Sequence, residues 1–150
     1  MSVEVNNETE WDLDATEFVA LISFCLEQLY VSPAAEVNLM MVDMATMTDL
    51  HIRWMDLPGP TDVLSFPMDE LTPGQEGQPS AGGMLGDIVL CPDVAAEQAR
   101  DAGHSAVEEM LLLTVHGLLH LLGFDHVTEE EEKTMFTLQR RLLLSFLAQR

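Results

Sequence analysis

The chain is 150 residues long and 47% hydrophobic, with 26 acidic against 6 basic residues and a formal net charge of −20. That length and apolar content fit a single compact domain over residues 1–150 and argue against disorder. Charge alone speaks against general nucleic-acid binding, because releasing counterions from phosphates takes Lys and Arg. No apolar run approaches the roughly 18 residues that would span a bilayer.

Residues 2–6 alternate and suit a first strand. The stretch DATE at 14–17 is a helix-capping pattern. It opens an amphipathic helix with Phe18, Leu21, Ile22, Cys25, Leu26 and Leu29 on one face, ending before Ser32-Pro33. EVNLMMVDM at 36–44 reads as a strand buried on both faces or nearly so. TDLHIRWM at 48–55 reads as a short helix capped by Thr48, and TDVLSF at 61–66 as a strand ending at Pro67. Residues 67–84, with three prolines and four glycines, form one long irregular segment. LGDIVLC at 85–91 is a further strand.

Pro92 suits a helix start and Gly103 its stop. SAVE at 105–108 caps the next helix, and Gly123 is placed to end it. TEEE at 128–131 caps a last helix whose inner stripe is Met135, Leu138, Leu142 and Phe146. The expected fold is α+β: a small mixed β-sheet covered by helices. The two cysteines, Cys25 and Cys91, sit in apolar settings and read as buried thiols. The acidic N-terminal stretch MSVEVNNETEWD has no signal-peptide pattern, so the expected location is the cytoplasm.

Residues 116–126 read HGLLHLLGFDH and hold three of the five histidines. Four residues apart on a helix, His116 and His120 project from one face, one turn apart. Gly123 lets the chain leave the helix sharply, which returns His126 toward the pair. Three neutral imidazoles with a fourth position free for water are the arrangement of a catalytic zinc. Histidines that merely decorate a core helix are the bland alternative, and three at this spacing argue against it. The expectation is one Zn2+ per chain, in a zincin-like arrangement on a central helix. The spacing also matches the metzincin peptidases, except that Gly117 replaces the glutamate that serves them as general base. Glycine cannot take a proton, which argues against peptide hydrolysis by that route.

The stretch resembles the H-G-x-L-H-L-x-G-[YF]-D-H motif of the YbeY family of bacterial ribosomal-RNA maturation factors. PTDVLSFP at 60–67 and LGDI at 85–88 are similar to the family's two other blocks, in the same order. The resemblance implies a zinc-dependent, single-strand-specific endoribonuclease acting in maturation of the 3′ end of 16S rRNA and in ribosome quality control. It implies ribosomal RNA as substrate, and as partners the small ribosomal subunit with its proteins and the GTPase Era. His116, His120 and His126 become the zinc ligands. The nucleophile is then a zinc-bound water or hydroxide, or the 2′-hydroxyl of the RNA.

Asp125, before the third ligand, reads as a residue that orients the site or caps the helix end. Ser65 is a candidate for the cleft wall, against the plainer reading of a serine in a strand. Asp62 and Asp87 lie in the other two blocks, where they equally suit turn caps. The family's arginine, six residues before the threonine of P-T-D, falls here on Met55; Arg53 is the nearest. Two residues along a helix turn a side chain about 200° away, whereas an extended segment would keep it on the same face. Arg53 as a phosphate contact therefore stands against Arg53 as a solvated residue. Two rival functions remain: a zinc-dependent metalloprotease, and a non-catalytic, zinc-containing ribosome assembly factor that would bind pre-ribosomal particles just as well after its histidines are replaced.

Overall fold

A computed structural model describes residues 2–150. In chain order they form β1 (Ser2–Asn7), α1 (Ala15–Gln28), β2 (Glu36–Met41), α2 (Met44–Met55), β3 (Val63–Pro67), β4 (Met84–Leu90), α3 (Pro92–Ala102), α4 (Ala106–Leu121) and α5 (Glu129–Gln149). The sheet order is β1-β2-β4-β3. β1, β2 and β4 run parallel, and β3 pairs antiparallel with β4 at one edge. The α+β fold with a small mixed sheet is thus as expected. Among the described residues no helix is long and apolar enough to cross a membrane.

The larger core lies on one side of the sheet, where Val37, Leu39, Leu85 and Ile88 meet Leu21, Ile22 and Leu26 of α1 and Leu111, Val115 and Leu118 of α4. α5 closes this core with Met135, Leu142 and Phe146. A smaller cluster on the other side seats α2 through Met47 against Val42, Leu64, Val89 and Cys91. Both cysteines are buried free thiols, and burial pushes the Cys25 thiol up to about 12.

Helix starts follow the capping residues. Asp14 caps α1, Ser105 accepts from the Glu108 amide at the start of α4, and Thr128 forms a complete capping box with Glu131 at α5. One boundary differs from the sequence reading. β2 ends at Met41, and α2 starts at Met44 under Asp43, whose carboxylate accepts from the Thr46 amide at 2.8 Å. Asp43 supplies the cap, five residues before the expected Thr48. Thr48 lies inside the helix and donates to the Met44 carbonyl. β2 is also less enclosed than expected: Val37, Leu39 and Met41 are buried, while Asn38 and Met40 on the other face are only partly covered.

The irregular segment between β3 and β4 is tied back to the end of α1, where Gly74 N donates to Leu29 O and Ser80 N to Tyr30 O, both at 2.9 Å. Gly86 sits in the β3–β4 ladder opposite Pro67, at φ +141°. A Cβ there would lie 2.2 Å from the Phe66 carbonyl oxygen. Gly86→Ala is therefore expected to lower unfolding free energy by about 2 kcal/mol or more, from backbone strain plus the clash. Urea denaturation, read as the midpoint shift, checks this.

Candidate metal centre

α4 enters the core as an apolar rod, with Met110, Leu111, Val115, Leu118 and Leu119 fully buried. His116 and His120 project from its half-covered edge. At its C-terminus Leu122 bonds back to the helix, and Gly123 takes φ +94°, a left-handed value that reverses the chain at no steric cost. Phe124 N donates to Leu119 O at 3.0 Å, which closes the turn. Asp125 then accepts from the His126 amide at 2.8 Å and shapes the return.

The three imidazoles converge as the spacing predicts. Their ring centroids lie 4.7 Å (His116–His120), 5.4 Å (His116–His126) and 5.2 Å (His120–His126) apart. One nitrogen from each falls within 4.8 Å of the others. His116 Nε2 and His120 Nε2 approach to 3.2 Å. Ligands at 2.0–2.1 Å around a tetrahedral zinc would stand about 3.3 Å apart, so this pair already has the spacing of two zinc ligands.

The protonation states suit the same role. His116 Nδ1 lies 2.8 Å from Gln139 Oε1. An amide oxygen only accepts, so Nδ1 carries the proton and Nε2 faces the cluster with its lone pair free. Burial pulls His116 below the usual imidazole range, against a smaller opposing effect of the Gln139 bond. Burial, then the neighbouring imidazoles, do the same to His120. Both are held in the neutral form that ligates metal. The donor set and its geometry fit a divalent ion.

The face of α4 next to His116 is closed. A Cβ on Gly117 would lie 2.8 Å from Ile88 Cγ2, 3.2 Å from Ser65 Oγ and 3.3 Å from Val63 Cγ2. The position that holds a general base in metzincin peptidases is here pressed against the sheet, and no carboxylate fits it. Ser65 reinforces the contact by donating to the Gly117 carbonyl at 2.8 Å.

The histidines open onto a cleft of about 510 Å³ whose walls include Met55, Asp62, Ser65, Phe124 and Asp125. Of the residues singled out in the sequence, Ser65 and Asp125 thus stand at the site. So does Asp62, whose carboxylate accepts from the Val63 amide (2.7 Å) and Gln98 Nε2 (3.2 Å). Asp87 does not: it accepts from Asn38 Nδ2 and lines a groove beside Trp54 and Phe66. Arg53 is exposed in the last turn of α2 and is not part of the cleft wall, whereas Met55 is. Because the segment is helical, the two-residue offset turns Arg53 away.

Fold and site together define an α+β protein with a zincin-like three-histidine centre that lacks the peptidase base. The family model for Endoribonuclease YbeY matches residues 3–147, and the chain belongs to this family. It is 63% identical over 150 residues to Endoribonuclease YbeY of Beutenbergia cavernae, covering all of both chains. To that of Clavibacter michiganensis it is 58% identical, over 97% of this chain and 95% of the relative. To that of Mycolicibacterium gilvum it is 56% identical, over 99% and 85%. The solution structure of TM1509 from Thermotoga maritima shares the fold, with a TM-score of 0.66 at 22% identity over 98% of this chain and 90% of that one. The resemblance first carried by HGLLHLLGFDH is borne out along the chain.

Sequence reasoning missed Gln139. Its signal was present: a polar residue on the inner stripe of α5, between Met135 and Leu142. Gln139→Leu is expected to weaken zinc binding about 10–100-fold while leaving the fold intact, measured by competition with a chromophoric chelator. Gly117→Ala is expected to lower stability by about 1–3 kcal/mol through overpacking against Ile88 and Val63, read from thermal unfolding.

Proposed function

We propose that this chain is a zinc-dependent, single-strand-specific endoribonuclease that acts in the cytoplasm, in maturation of the 3′ end of 16S rRNA and in ribosome quality control. The observation that carries the proposal is the convergence of His116, His120 and His126 within 4.8 Å at an open cleft, in a member of an endoribonuclease family. Zinc held by these imidazoles would supply positive charge to the oxygens of a phosphodiester. Gln139 keeps His116 in the ligating tautomer. Ser65 lines the cleft wall beside the histidines, and Asp125, bonded to the His126 amide, orients the return that carries the third imidazole.

Closure of the Gly117 face supports phosphodiester over peptide chemistry, since no glutamate base fits there. The net charge of −20 supports delivery of the RNA by basic partners, for which an acidic surface is complementary. The small ribosomal subunit with its proteins, and the GTPase Era, are the partners proposed.

His120→Ala tests this reading in cells. The expected outcome is loss of 16S 3′-end maturation with ribosome association retained. Normal maturation in that variant would overturn the nuclease assignment and leave a non-catalytic assembly factor.

A further inference from the structure

Strong negative charge leaves open how a phosphate chain is held near the histidines at all. The chain has six Lys and Arg residues, and three of them, Lys133, Arg140 and Arg141, line one groove of about 560 Å³ on the outer face of α5. Among the described residues, none of the three is ion-paired to a carboxylate; the ion pairs are His104–Glu109 and Arg150–Glu17. Their cationic groups are therefore available to another anion.

Phe136 links the groove to the metal centre. It lines the groove, and its ring centroid lies 6.0 Å from that of His116 and 5.7 Å from that of His126. Yet it stays 41% exposed. A half-open aromatic face beside the reacting centre, continuing into a row of cations, has the elements of a single-strand binding site: a stacking platform and an electrostatic groove. Arg140 lies one helical turn beyond Phe136, ~6 Å along the axis, which is the scale of one nucleotide step. Glu129 and Glu132 line the N-terminal end of the same groove. They repel a phosphate chain there and favour its exit toward Arg140 and Arg141.

We propose that the outer face of α5 is the track by which a single RNA strand leaves the metal centre: Phe136 stacks a base beside the histidines, and Arg140 and Arg141, with Lys133, bind its phosphates. This rests on the endoribonuclease reading above and adds to it where the substrate lies and which way it runs. Phe136, Arg140 and Arg141 are substrate-binding residues outside the ligand set.

The test uses a fluorescently labelled single-stranded oligoribonucleotide long enough to span the helix face. KM for its cleavage is measured with zinc-loaded protein. Its affinity is measured by anisotropy across a salt series after the metal is chelated. Arg140→Gln and Arg141→Gln are each expected to weaken binding and to reduce the slope of log K against log salt by about 0.7 per cation removed. Phe136→Ala is expected to raise KM about tenfold, with Phe136→Trp restoring it, as stacking requires. Arg100→Gln, the same charge change on the exposed end of α3, controls for net charge and is expected to alter neither slope nor KM. Wild-type protein that cuts the oligonucleotide, with both arginine variants unchanged in affinity and salt slope, overturns the track alone. Failure of Trp at position 136 to restore KM overturns the stacking role. Zinc-loaded wild-type protein that does not cut the oligonucleotide overturns the nuclease reading, and the track with it.

Discussion

Helix α4 approaches β3 and β4 so closely at Gly117 that a single added carbon would overlap Ile88. The helix cannot stand further off without opening the core that Leu118 and Val115 fill. Ser65 clamps the same point by bonding the Gly117 carbonyl. This contact fixes the rotation of α4 about its own axis, and with it the direction in which His116 and His120 point. About 100° separates adjacent residues on a helix, so pressing position 117 into the sheet presents position 116 at the edge, facing the cleft. One close approach thus sets the direction of His116 and His120 and removes the space for a peptidase base.

The charge distribution follows a similar economy. An acidic chain would repel RNA over most of its surface, yet three of its few cations share one face of α5. At the cleft itself, Asp62 and Asp125 act on the histidines in the opposite sense to burial, favouring positive charge there. Such carboxylates are compatible with a bound cation and unfavourable to a bare phosphate. A metal ion held by the histidines would offset these carboxylates and favour a phosphate at the cleft.

Much of this was legible in the chain because local chemistry decided it. Caps at Asp14, Ser105 and Thr128, the apolar stripes of α1 and α5, and the spacing of His116, His120, Gly123 and His126 each specify structure within a few residues. Asp43 was misjudged because an aspartate after a run of apolar residues was absorbed into the strand it terminates. Contacts across the fold were not legible. Gln139 lies 23 residues from His116, and nothing local announces their bond, although a glutamine on an apolar stripe hints at a buried partner. Asp62 and Asp87 look alike in their two motifs, but alternation along β4 sends Asp87 to the far side of the sheet while Asp62 stays at the cleft. The side each residue faces became visible only with the strand register.

α5 shows how tightly those long-range features are bound together. Its inner face gives Met135 and Leu142 to the core and Gln139 to His116, while its outer face gives Phe136 and the cations. A slip of one residue in the start of this helix would rotate every side chain by about 100°, withdrawing Gln139 from the imidazole and turning Phe136 away from the histidines. The complete capping box at Thr128 and Glu131 opposes such a slip, because it satisfies the first free amides at only one starting position. Only Val127 separates His126 from Thr128, so the cap also anchors the return that brings the third imidazole home. The placement of His126, the Gln139 bond to His116 and the orientation of the outer face of α5 consequently share one local determinant, written in the four residues TEEE.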